Sequence, residues 1–200
     1  MTVAESHLLS PDAPNPHRFT RDEYYVMAEA GLFQNQRVEL IEGVIIDMSP
    51  HNDPHAVAIL LVQQAMLKAL PHLLMRPQLP LTLGEKSEPQ PDFAFTDGNP
   101  RDFLGTGKHP SSALLVIEVS DSTLNFDRKK KASLYARAGI RDYWIVNIPD
   151  KCIEVRRDPI ADANSPSGYR YASLTTLRSA EHISPLAHPT AQIPIADLLP

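Results

Sequence analysis

The hydrophobic pattern is most regular between Ala113 and Asn147. This stretch opens with the apolar run Ala113-Leu114-Leu115-Val116-Ile117, bounded by polar residues and long enough for a strand buried on both faces. Glu118 follows directly, with no opposite charge beside it. After a polar turn, helical spacing over Asp127 to Ala138 predicts a helix that Gly139 stops, and Tyr143-Trp144-Ile145-Val146 predicts a second buried strand. Strand, helix and strand in this order form a βαβ-like unit. Leu134, Tyr135 and Ala138 follow Lys131 at i+3, i+4 and i+7, so Lys131 shares the apolar face of the helix while Lys129 and Lys130 point elsewhere. A carboxylate in a buried strand and a lysine on the facing side of the next helix mark a candidate site.

Elsewhere the rhythm is shorter. Residues 1–17, with three prolines and no periodicity, predict a disordered tail, which leaves 18–200 as a single domain. Thr20 and Glu23 form a capping-box pattern that opens a short helix to about Ala30, ended by Gly31. Val38–Ile41 and Val44–Met48 flank Glu42-Gly43 and predict a tight hairpin. Asn52 or Asp53 caps a long helix with Pro54 at its first position, apolar on most sides and broken by Pro71, expected to be the central buried helix. Short strands are expected at Leu79–Leu83 and Asp92–Phe95, and residues 96–112 read as a surface loop. Ile153–Arg156 and Tyr169–Ala172 alternate as an antiparallel pair with Arg156 and Arg170 facing out, and Ile195–Leu199 suggests a final short turn. The predicted fold class is mixed α/β (α+β): a mixed sheet flanked by helices, with an N-terminal helix and hairpin.

Composition narrows the setting. The single cysteine, Cys152, excludes an internal disulfide and any cysteine-based metal cluster, and no disulfide-linked partner is expected. No run reaches the roughly 20 apolar residues of a membrane span, and the N-terminus lacks the pattern of a signal peptide, so a cytoplasmic protein without membrane contact is expected. A net charge of −5 argues against a protein that coats nucleic acid non-specifically. It leaves room for a local basic surface where Arg128, Lys129, Lys130, Arg137 and Arg141 cluster, or for an ordinary solvated helix face there.

Oxygen-rich chemistry is the theme of the candidate residues. Mg²⁺ is often held by one or two carboxylates, water and substrate phosphates. Asp92 and Glu118 on adjacent strands supply such ligands, with the Val119 carbonyl as a third oxygen. Lys131 would orient a water and stabilise charge on a phosphate. Each residue has a plainer reading as well. Asp92 also fits a turn cap after Pro91, and Glu118 a structural bridge to Lys131. His55 suits either first-turn packing or an active-site contact. Glu39 is a candidate to face the site; Glu42 serves the hairpin turn; Tyr135 and Trp144 read as core.

Asp92, Glu118 and Lys131 in this order resemble the PD-(D/E)xK nuclease superfamily. More narrowly, VELIEGVIIDMSP (38–50), His55, QPDFAF (90–95), LLVIEVSDST (114–123) and DRKKKASLYARAGIRDYWIVN (127–147) resemble the Uma family of restriction-endonuclease-like bacterial proteins, the DUF820 type, over residues 18 to about 175. The resemblance implies a restriction-endonuclease-like core and Mg²⁺- or Mn²⁺-dependent hydrolysis of DNA. Asp92, Glu118 and Val119 would act as metal ligands, with Lys131, Glu39 and His55 in the active site, and a homodimer is implied by analogy. Ser120 departs from the superfamily, standing where Glu-x-Lys would place lysine; in the Uma group the lysine moves to the position of Lys131. The rival readings are a catalytically silent nuclease-like module that binds DNA or protein, and hydrolysis of another phosphodiester such as RNA.

Overall fold

The structure is a computed structural model, and it describes residues 14–48, 50, 52–105 and 109–200. Most of the expected N-terminal tail, residues 1–13, lies outside the described residues.

Six strands form the central sheet: β3 (Leu74–Pro77), β4 (Phe93–Thr96), β5 (Leu115–Ser120), β6 (Asp142–Asn147), β7 (Cys152–Ala161) and β8 (Tyr169–Leu177), side by side in that order. Only β5 and β6 run parallel. A parallel pair needs a crossover, and helix α3 supplies it. This helix runs through Leu124–Phe126, a wide π-type turn at Asp127–Lys131, and the regular segment Ala132–Arg137. The mixed sheet flanked by helices is the fold class that the sequence predicts.

Both faces of the sheet are covered, which explains why β5 is buried at all six positions. Leu115, Ile117 and Val119 pack with Phe93, Phe95, Trp144 and Val146 against helix α2 (Asp53–Ala69) and the C-terminal segment. On the opposite face Val116 packs with Ala94, Tyr143 and Ile145 against Leu134 and Tyr135 of α3. Strand alternation therefore sends Glu118 to the α3 side.

The N-terminal layer forms as its sequence dictates. Thr20 accepts from Glu23 N–H, while the Glu23 carboxylate accepts from Thr20 N–H, closing a capping box on α1 (Arg21–Glu29). Strands β1 (Val38–Ile41) and β2 (Val44–Asp47) form the hairpin, with Glu42 and Gly43 both at positive φ (52° and 75°), as a two-residue primed turn requires. A side chain at Gly43 would also meet the Arg18 backbone at 2.9 Å, so the position excludes other residues twice over.

Three expectations are corrected. Leu79–Leu83 is not a strand: Pro80, Pro89 and Pro91 lack the N–H groups a ladder needs, and the segment is a looped excursion with Leu81 and Leu83 buried. The edge strand is β3 instead. Helix α2 forms almost as delimited, yet it is not central, because it buries only Ala58, Val62 and Met66 and leaves its outer side in solvent. Arg156 does not face out; it donates to Glu154 at 2.8 Å. The small C-terminal pair β9 (His182–Ile183) and β10 (Ile193–Pro194) precedes the expected final turn, a short 3₁₀ helix at Ile195–Leu198.

Candidate active site

Register brings the two acids together. Phe93 pairs with Ile117 across β4 and β5, so the next step outward sets Asp92 opposite Glu118. The two are also linked by hydrogen bonds: Val119 N–H donates to Asp92 Oδ2 at 2.8 Å, and Asp92 N–H donates to Glu118 Oε2 at 3.4 Å. Lys131 reaches in from α3, with Nζ 3.0 Å from Glu118 Oε1 and 3.2 Å from Glu39 Oε1. Glu39 comes from β1, where Val38 and Leu40 pack under α1 and leave the intervening side chain to face the cleft. His55, in the first turn of α2, places Nε2 3.7 Å from Asp92 Oδ1. Five separate elements thus meet at one cleft of about 170 Å³.

Glu39, Asp92, Glu118 and Lys131 are 3%, 7%, 3% and 5% exposed, which makes their mutual charges count. Burial pushes the Glu118 carboxyl up to about 8, opposed by Lys131 and reinforced by Asp127, Asp92 and Glu39. Lys131 is also desolvated, but Glu118, Glu39 and Asp127 outweigh that and hold its pKa well above the usual lysine value. Asp92 goes the other way: burial would raise it, yet the His55 ring, the Val119 N–H and the Lys131 charge keep it below an ordinary aspartate.

The sequence pattern points to the principal residues and misses their supports. Tyr135 is buried as expected of core, but its hydroxyl donates to Glu118 Oε1 at 2.6 Å. Gln90 N–H donates to Glu39 Oε2 at 3.0 Å and its side chain to Val38 O, fixing the hairpin against the sheet. Asp127 lines the same cleft, held by the hydroxyls of Ser120 and Thr123 at 2.7 Å each. Ser120, at the position where the superfamily carries lysine, is therefore a hydrogen-bond donor that braces the start of α3. Only Gln90 carried a sequence signal, its place beside Pro91-Asp92. Glu42 lies outside the cleft and pairs with Arg137 at 2.7 Å.

A model of the Uma2 family, described as "Putative restriction endonuclease", matches residues 21–196. The chain belongs to the Uma2 family. No curated protein matches it. Among solved structures, a protein from Anabaena variabilis ATCC 29413 described as a "putative nuclease belonging to DUF820" superposes with a TM-score of 0.67 at 14% identity. The match covers 90% of this chain and 97% of that one. At that identity the likeness shows a shared fold, and it extends over nearly the whole of both chains.

The donor set of this Uma2 chain suits a hard cation. Asp92, Glu118 and the Val119 carbonyl offer oxygen only, which favours Mg²⁺ or Mn²⁺ over softer metals. Among the described residues no three Asp, Glu, His or Cys side chains form a closed metal cage. Two carboxylates and a carbonyl with water completing the shell is the open arrangement that Mg²⁺ commonly takes. The cleft carries six carboxylates, on Glu39, Asp47, Asp92, Glu118, Asp121 and Asp127, against Lys131 and His55. That excess negative charge favours a divalent cation.

Proposed function

We propose that this protein is a metal-dependent endonuclease that hydrolyses DNA phosphodiester bonds by direct attack of water. The observation that carries the reading is Lys131 Nζ at 3.0 Å from Glu118, across from Asp92, in a single cleft. Mg²⁺ or Mn²⁺, held by Asp92, Glu118 and the Val119 carbonyl, would supply charge that lowers the pKa of a water and stabilises a phosphate. Lys131 stays protonated at any physiological pH and so serves as donor and point charge, orienting water or a phosphate oxygen. Glu39 and Tyr135 are positioning residues: one holds the ammonium, the other holds Glu118 Oε1. His55 keeps Asp92 ionised and ready to bind a cation.

The acidic lining of the cleft favours one alternative, a catalytically silent module, because a polyanion approaches such a surface poorly without a cation. Cleavage of supercoiled plasmid, single-stranded DNA and RNA in Mg²⁺, Mn²⁺ or EDTA decides between them. Metal-dependent cutting of DNA, lost in Asp92→Asn and Lys131→Ala, supports the nuclease. Cutting that persists in both variants places the site elsewhere, and no cutting under any condition supports the silent module.

A further inference from the structure

Helix α2 carries two apolar faces. One, through Ala58, Val62 and Met66, packs on the sheet. The other lies on the opposite side of the helix. Val57, Leu60 and Leu67 recur there at helical spacing, 46%, 59% and 51% exposed, with Leu61 partly exposed and Gln64 at the centre of the stripe. A helix apolar on both sides is normally covered on both sides, and an unbroken apolar stripe of this kind marks an interaction surface rather than scattered surface leucines.

The ends of the stripe identify what covers it. Exposed Asp53 begins the helix and exposed Lys68 lies in its last turn, both on the stripe side. Turned end for end about a point between Leu60 and Leu61, a second α2 sets Asp53 against Lys68, Val57 against Gln64 and Leu60 against Leu61. Each pairing then occurs twice, as a two-fold interface requires. Acid and base stand at opposite ends of the same stripe, so its charge is complementary to itself in the antiparallel sense and self-repelling in the parallel one.

We infer that the outer face of α2 is the interface of a two-fold homodimer, formed by antiparallel packing of α2 on α2 of a second copy. The helices cross at about +20°, the shallow class that keeps the charged ends within reach. One helix pair is a small interface, so the dimer forms with a dissociation constant on the order of micromolar.

Sedimentation velocity without metal or DNA tests this independently of any nuclease activity. Wild-type protein is expected to shift from 22.2 kDa toward twice that mass between about 1 and about 200 μM. Leu60→Glu, at an exposed position, stays monomeric, with an unchanged far-UV spectrum showing that it is folded. Lys68→Glu weakens association about tenfold, and Asp53→Lys combined with Lys68→Glu restores it. A monomer throughout the range, or a dimer indifferent to Leu60→Glu, overturns the proposal. Loss in Lys68→Glu without recovery in the double variant overturns the antiparallel arrangement.

Discussion

Two buried glutamates on this sheet have opposite surroundings. Glu154 on β7 accepts from Asn147 at 2.9 Å, from Arg156 at 2.8 Å and closely from Arg128. Burial would raise its pKa, but the Arg128, Arg156 and Asn147 hydrogen bonds hold it below the ordinary value. Glu118, two strands away, has one lysine and three neighbouring carboxylates, and burial drives its pKa up. Both are comparably hidden from water. A carboxylate saturated by two guanidinium groups is a finished structural knot; one crowded by other acids is short of positive charge. Burial alone therefore does not distinguish a site from a brace, whereas the sign of the local imbalance does.

The sharpest break of the comparison is functional. Asp92→Asn and Lys131→Ala should each lower metal-dependent DNA cleavage by roughly 100- to 1000-fold, while Glu154→Gln leaves it within about threefold; plasmid nicking rates read both. Stability should reverse the ranking. Glu154→Ala strands Arg156 and Arg128 and is expected to cost about 3 kcal/mol, the low end for a buried pair, because Arg128 is 35% exposed. Urea unfolding measures it.

The dependence on pH then separates the two acids by sign. Glu118 holds its proton more tightly folded than unfolded, so without metal its contribution to stability falls as pH rises from 4.5 to about 8. Glu154, with a lowered pKa, contributes stability that is present above the unfolded value and lost as pH falls through the folded one. Glu118→Gln should flatten the first decline and Glu154→Gln the second, in melting curves collected from pH 4 to 9. Mg²⁺ at about 100 times its dissociation constant should stabilise the wild type by about 2.7 kcal/mol. It should also release protons near neutral pH, as seen by calorimetry in buffers of different ionisation enthalpy; both responses vanish in Glu118→Gln and persist in Glu154→Gln. The smallest effect expected is that of Tyr135→Phe, about 1 kcal/mol from the lost bond to Glu118, with activity reduced less than tenfold.

Local patterns made much of this molecule legible. The β5–α3–β6 unit, the capping box and the Glu42-Gly43 turn each arise from short-range sequence, and alternation in β5 was enough to aim Glu118 at the helix that carries Lys131. The features that stayed hidden depend on distant partners. Strand β3 contains Arg76 and Pro77, poor strand formers, and exists because β4 pairs with it. Arg76 is buried there by Pro80 O, His109 and the Phe103 ring, which lies 4.7 Å from its guanidinium carbon. The position of Glu39 over the cleft depends on how a separate hairpin docks, through Gln90 and the bridge between Leu40 and Glu88. No spacing within either segment encodes that.

The wide turn in α3 has a consequence for how the chain tolerates change in length. Ala132 N–H bonds to Asp127 O, five residues back, so Asp127–Lys131 contains one residue more than an α-turn. Lys129 and Lys130 occupy its solvent side. Removing either one would let the turn close into ordinary helix and swing the Leu124–Phe126 end of α3 by about 100° relative to its Ala132–Arg137 end. Asp127 and Lys131 could not then both stay over Ser120 and Glu118. Exchanging these two lysines for alanine leaves the helical phase intact, whereas deleting a single one resets it: here the number of residues matters more than their identity.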